Sequence, residues 1–95
     1  MSPPNPARLA VPGVVVSPAL ESLIAELQRS IPLEVLPPVA TGKHVAAVLG
    51  TSEAALSQER YLHKGIPYTR IGRRVRYLRS DVIKFLATNR VEGAA

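Results

Sequence analysis

Apolar and polar residues recur along this chain with two different periods, and the change of period separates its parts. Leu20, Leu23, Ile24 and Leu27 stand at i, i+3, i+4 and i+7, the spacing that gathers side chains on one face of an α-helix. Ser17 and Pro18 precede them: a hydroxyl that can accept from free N–H groups, then a residue whose fixed φ suits the first helical position. The pattern predicts an amphipathic helix over residues 17–30. Thr41 opens a second helical stretch to Leu49, with Val45, Val48 and Leu49 apolar, Ala46 and Ala47 small, and Gly50 to close it. His44 occupies the position where a capping box carries Glu or Gln, so no box is expected, and Gly42 weakens the first turn. Ser52 caps a third helix with Glu53 in its first turn, Leu56 inward, and His63 and Lys64 near its end before Gly65.

After Gly65 the period falls to two. Tyr68 to Ile71 and Arg74 to Tyr77 read as strands joined at Gly72 and Arg73, a β-hairpin whose turn suits the left-handed backbone of glycine. Val75 and Tyr77 share one face of the second strand, and Arg74 and Arg76 the other. Ser80 and Asp81 begin a last helix that covers the core with Val82, Phe85 and Leu86, and residues past Arg90 are expected to fray.

Proline usage draws the boundaries. Eight of the nine prolines lie at or before Pro38. Residues 1–16 read as a disordered or extended arm, 17–30 as an extension helix and 31–39 as an extended proline-rich linker. Residues 40–90 form the domain proper, and 91–95 a tail. The expected fold class is mainly α with a small β-hairpin. Within 95 residues there is room for one small domain, of a size whose single core is marginal alone, so help from a partner or from self-association is expected.

Composition narrows the function. There is no cysteine, which excludes a disulfide framework and thiolate metal sites and fits a reducing cytoplasm. No apolar run is long enough to cross a bilayer, and Pro12 and Gly13 interrupt Leu9 to Val16, the nearest approach to a secretory leader. The formal net charge is +5, and it is unevenly placed. Up to residue 40, Arg8 and Arg29 face Glu21, Glu26 and Glu34; beyond it, ten basic residues face four acidic ones. A polyanion is the expected partner of that half.

Two short capped helices joined at a glycine match a helix-turn-helix, which needs a small residue where the helices cross, a glycine four positions on, and an aliphatic six beyond that. Ala46, Gly50 and Leu56 supply them. The second helix of such a pair enters the DNA major groove, and an arginine-rich hairpin directly after it reads as a wing, whose loop reaches phosphates or a minor groove.

The run from Thr41 to Ser52, the step Gly65-Ile66-Pro67-Tyr68, the hairpin Ile71-Gly72-Arg73-Arg74-Val75-Arg76-Tyr77 and the start Ser80-Asp81-Val82 together resemble the excisionase, AlpA-type branch of the MerR-like winged helix-turn-helix proteins. The resemblance covers roughly Val39 to Thr88. It implies a winged helix-turn-helix with the N-terminal helix as an extension. It also implies a small DNA-bending protein of a phage or integrative element, a recombination directionality factor that binds repeats and steers a site-specific integrase toward excision. Relatives also act as transcriptional activators. Glu59 departs from the tryptophan of many relatives and His44 from their usual acid.

The expected DNA contacts are Ser52, Glu53, Ser57, Gln58 and Arg60 on the recognition helix, and Arg70, Arg73, Arg74 and Arg76 on the wing. Gln58 suits adenine, Glu53 the cytosine amino group, and serine several bases or a phosphate. Arg73 suits a narrow minor groove, while Arg74 and Arg76 suit phosphates. Arg60 either reaches a phosphate or covers the core with its stem. Arg79 either joins the wing or pairs with Asp81, and Tyr61 and Tyr77 are expected as core aromatics more than as base-stacking groups. Lys43 and Lys64 are plausible phosphate contacts. Leu20, Leu23, Ile24 and Leu27 either pack on their own domain or dock a neighbouring copy.

Other chemistries find no support. Thr41-Gly42-Lys43 lacks the upstream glycine and the following hydroxyl of a phosphate loop. His44 and His63 have no clustered acid or thiol for a metal, and no nucleophile has a base beside it. The expectation is a non-enzymatic, cofactor-free, cytoplasmic and nucleoid-associated protein with no membrane and no small-molecule substrate, whose partners are double-stranded DNA, an integrase and its own copies. The rivals are a transcriptional regulator of mobile-element genes and an oligomeric protein-interaction scaffold.

Overall fold

Four helices and one antiparallel sheet of three strands make an α+β domain in the computed structural model, which describes residues 17–93. The arm expected over residues 1–16, and the last two residues of the tail, lie outside the described residues. The elements are α1 (Pro18–Ser30), β1 (Val39–Thr41), α2 (Gly42–Leu49), α3 (Glu53–Tyr61), β2 (Thr69–Ile71), β3 (Arg74–Leu78) and α4 (Arg79–Gly93).

The local signals act as their chemistry demands. Ser17 Oγ accepts from the Leu20 N–H at 3.1 Å and Ser52 Oγ from the Ala55 N–H at 3.0 Å, each satisfying a donor that the first helical turn leaves open. Gly50 closes α2 in the left-handed region at φ 69°. Gly72, also left-handed at φ 62°, takes the first place of the two-residue turn between β2 and β3, where Ile71 pairs with Arg74.

Three expectations about local structure are corrected. His44 does complete a capping box: its Nδ1 accepts from the Thr41 N–H at 3.1 Å, while Thr41 Oγ1 accepts from the His44 N–H at 3.2 Å. An imidazole nitrogen with a free lone pair does what a carboxylate or amide oxygen does at that position. α3 ends at Tyr61, with Leu62 as its C-cap, ahead of His63 and Lys64. α4 begins at Arg79, directly off β3, and stays helical through Gly93, past Arg90.

The largest departure lies in residues 31–39. Instead of an extended linker, the chain turns at Pro32, whose carbonyl accepts from Val35 and Leu36 N–H groups at 3.0 Å, and then enters the sheet as β1. The sheet order is β1-β3-β2, with Ala40 opposite Tyr77 and Thr41 opposite Arg76. The expected hairpin is present as β2 and β3, and β1 adds a third strand that makes it a sheet. Leu36, from the middle of the proline-rich stretch, is fully buried.

The core gathers Leu36, Ala40, Val45, Ala46, Leu56, Ile66 and Tyr77 with Val82, Ile83 and Ala87 of α4. Val82 is buried as expected, but Phe85 and Leu86 are only partly buried, and Ile83 and Ala87 fill the deeper positions. Because α4 leaves the end of β3 and packs on both the sheet and α1, its buried face is set by two neighbours. Leu20, Leu23, Ile24 and Leu27 are all half-buried, with Ile24 and Leu27 packed on the core.

Arg79 ties these parts together. Its guanidinium donates to the carbonyls of Leu36 at 2.6 Å, Ile31 at 2.7 Å and Gln28 at 2.9 Å, and its own N–H donates to Pro38 at 3.0 Å. The carbonyls left open at the end of α1 thus find their partner on α4. Arg79 neither joins the hairpin cluster nor turns to Asp81.

Candidate nucleic-acid interface

The candidate site lies where α3 faces the hairpin. Ser57, Arg60 and Tyr61 recur at i, i+3 and i+4, so one face of α3 presents a hydroxyl, a guanidinium and a phenol together. On the opposing hairpin Arg70 pairs across from Val75, which brings Arg70 to the face that looks at α3. Between them lies a cleft of about 500 Å³, lined also by Arg73 from the turn and by His63 and Tyr68 from the loop after α3. Its lining contains cations and neutral donors and no carboxylate.

Arg60 holds the two walls in register. Its Nη1 donates to Tyr77 Oη at 2.6 Å, and its guanidinium carbon lies 5.8 Å from the centre of the Tyr68 ring. Tyr68 and Tyr77 are in turn 6.4 Å apart, their rings tilted by 54°. A guanidinium stacked on one tyrosine and bonded to the hydroxyl of another has little freedom, yet one donation leaves further N–H groups for a ligand. Tyr77 itself is buried at 1% exposure, so the pair links the core to the cleft.

A second, smaller cleft of about 260 Å³ opens beyond Arg60 and Arg73, lined also by Thr41, Gly42, Glu53, Val75 and Arg76. The residues expected to contact DNA therefore fall into groups. Ser57, Arg60, Arg70 and Arg73 meet around the larger cleft. Glu53 and Arg76 belong to the smaller one, and Arg76 is half-buried with its Nη1 on the Val75 carbonyl at 2.9 Å. Arg74 is exposed at the hairpin tip, on the face turned away from Val75. Ser52 is exposed at the N-terminus of α3, but its hydroxyl is engaged as the cap. Gln58 is exposed and lines neither cleft.

Three cleft residues escaped the sequence reading. Tyr61, expected in the core, is 78% exposed. The signal was present: Tyr61 stands four residues after Ser57 and five after the inward Leu56, which sets it off the buried face. His63 and Tyr68 had no such signal, because the loop between α3 and β2 brings them to the cleft. Among the described residues, no group of His, Asp and Glu could hold a metal ion, and no helix is long and apolar enough to cross a membrane.

Compared with protein-family models, curated proteins and solved structures, the chain returns no match.

Proposed function

We propose that this is a sequence-specific double-stranded DNA-binding protein of the winged helix-turn-helix kind, with α2 and α3 as the helical pair and the β2–β3 hairpin as its wing. The observation that carries the reading is the acid-free cleft in which Ser57 and Arg60 of α3 face Arg70 and Arg73 of the hairpin. Cations and hydroxyls on two walls suit a chain of phosphates, which supplies most of the affinity, while exposed positions on α3 read base edges.

Within that class we read the protein as an excisionase-like recombination directionality factor of a phage or integrative element, on the resemblance carried by the Gly65 to Tyr68 step and the Gly-Arg-Arg-Val-Arg-Tyr hairpin. It acts without catalysis or cofactor. One module of this size covers little DNA, so several copies on repeated sites, bending the duplex, provide specificity and present it to an integrase. The packing of Ile24 and Leu27 on the core of their own domain weighs against a scaffold built through Leu20, Leu23, Ile24 and Leu27.

The test is to capture DNA of the source organism on the protein at moderate salt and sequence what is retained. Clustered repeats beside an integrase attachment site are expected. Enrichment upstream of coding genes would replace excision control with transcriptional regulation, and no reproducible enrichment would remove specific recognition altogether.

A further inference from the structure

α2 and α3 are each followed by a residue of positive φ, Gly50 after the one and His63 after the other. Beyond the Leu62 cap of α3, the His63 N–H donates to the Arg60 carbonyl at 3.1 Å and the Lys64 N–H to the Glu59 carbonyl at 2.9 Å. This pair of bonds is the Schellman closure, whose left-handed residue is usually glycine because a Cβ crowds the following carbonyl there. α2 obeys the preference with Gly50 at φ 69°, while α3 carries His63 at φ 55°. His63 is the one non-glycine residue with positive φ among the described residues.

Packing does not account for it. His63 is exposed and contributes nothing to the core. Two residues on, Gly65 differs: it stands at φ 90°, and a Cβ there would lie 3.2 Å from Glu59 Cβ, a tight approach to an atom close to the α3 backbone. At His63 a glycine would relieve the backbone and remove no buried contact. What a glycine would remove is an imidazole from the wall of the 500 Å³ cleft, beside Arg60 and Arg70. A left-handed non-glycine residue at the edge of a site, with no packing task, is a reason to look for a function of its side chain.

We infer that His63 contacts the ligand of this cleft, its imidazole N–H donating to a phosphate oxygen of the bound nucleic-acid backbone. The inference rests on the DNA-binding reading and adds a residue that the arginines alone do not reveal. It makes His63 a place where stability and binding oppose each other.

The test uses the full chain and the variants His63→Gly and His63→Asn, with heat denaturation and titration onto a short labelled duplex of mixed sequence at low salt. His63→Gly is expected to melt at least as high as the parent, by up to a few degrees more, and to bind about three- to tenfold more weakly. His63→Asn, which tolerates the left-handed region and keeps an N–H donor of shorter reach, is expected between the two. A merely structural histidine would give variants that melt lower, and that result overturns the inference. Unchanged affinity in His63→Gly also overturns it, while leaving the DNA-binding reading intact. A parent protein that leaves the duplex free at low salt brings down both.

Discussion

β3 passes from solvent to core within its first four residues. At its start Arg74 is exposed on the hairpin tip; three residues later Tyr77 is buried at 1% exposure, with Ala40 paired beside it. The two ends share a strand and a hydrogen-bond ladder and differ in nearly everything else. The core end holds the sheet to α2, α3 and α4. The tip end carries charge that contributes little to folding, because solvent-exposed guanidinium groups gain and lose little on folding. Burial and exposed positive charge thus fall on different residues of one element. Arg60, reaching from α3 to the Tyr77 hydroxyl, is the point where the two meet.

Tyr77→Ala empties the centre of the core and is expected to cost about 3–5 kcal/mol. That is enough to leave a domain of this size largely unfolded, as urea titration followed by circular dichroism would show. At the tip, joint replacement of the exposed Arg70, Arg73 and Arg74 by alanine is expected to leave the urea midpoint within about 0.5 kcal/mol of the parent. The same variant should weaken duplex binding by about two orders of magnitude at low salt and flatten the salt slope by about 2–3. A triple variant that binds with the parental slope would remove the tip from the interface.

Arg79→Ala sharpens the contrast between arginines. Alone among the hairpin-proximal cations, Arg79 donates to three backbone carbonyls, so its loss is expected to cost about 2–3 kcal/mol of stability with no change in salt slope. Arg79→Lys recovers part of this at most, since an ammonium cannot span the three acceptors as a guanidinium fork does. The smallest expected effect is at His44. Removing its ring in His44→Ala opens the capping box at about 0.5–1 kcal/mol, and His44→Gln restores most of that stability by returning an acceptor to the same position.

Much of the helical and hairpin layout was legible because its causes are local. Ser17, Ser52 and Thr41 cap helices because their hydroxyls reach the N–H three residues on, and Gly50 and Gly72 turn the chain because they tolerate positive φ. The His44 box was missed although its cause is equally local: the expectation admitted only carboxylate or amide side chains, and an imidazole nitrogen accepts just as well. The candidate site was legible in part. Arg60, Arg70 and Arg73 were named from charge and placement, but their meeting with Tyr61, Tyr68 and His63 around one cleft depends on a loop of irregular backbone.

By itself, the sequence determined the positions of the helices, the hairpin register and the concentration of positive charge after residue 40. These follow from interactions spanning a few residues, where side-chain chemistry and backbone preference act without a partner. Long-range packing alone settles that the proline-rich stretch becomes β1 and buries Leu36, and that Arg79 serves α1 rather than the hairpin. Each of these turns on a neighbour dozens of residues away or on another element, and no local pattern records which neighbour closes the unpaired groups.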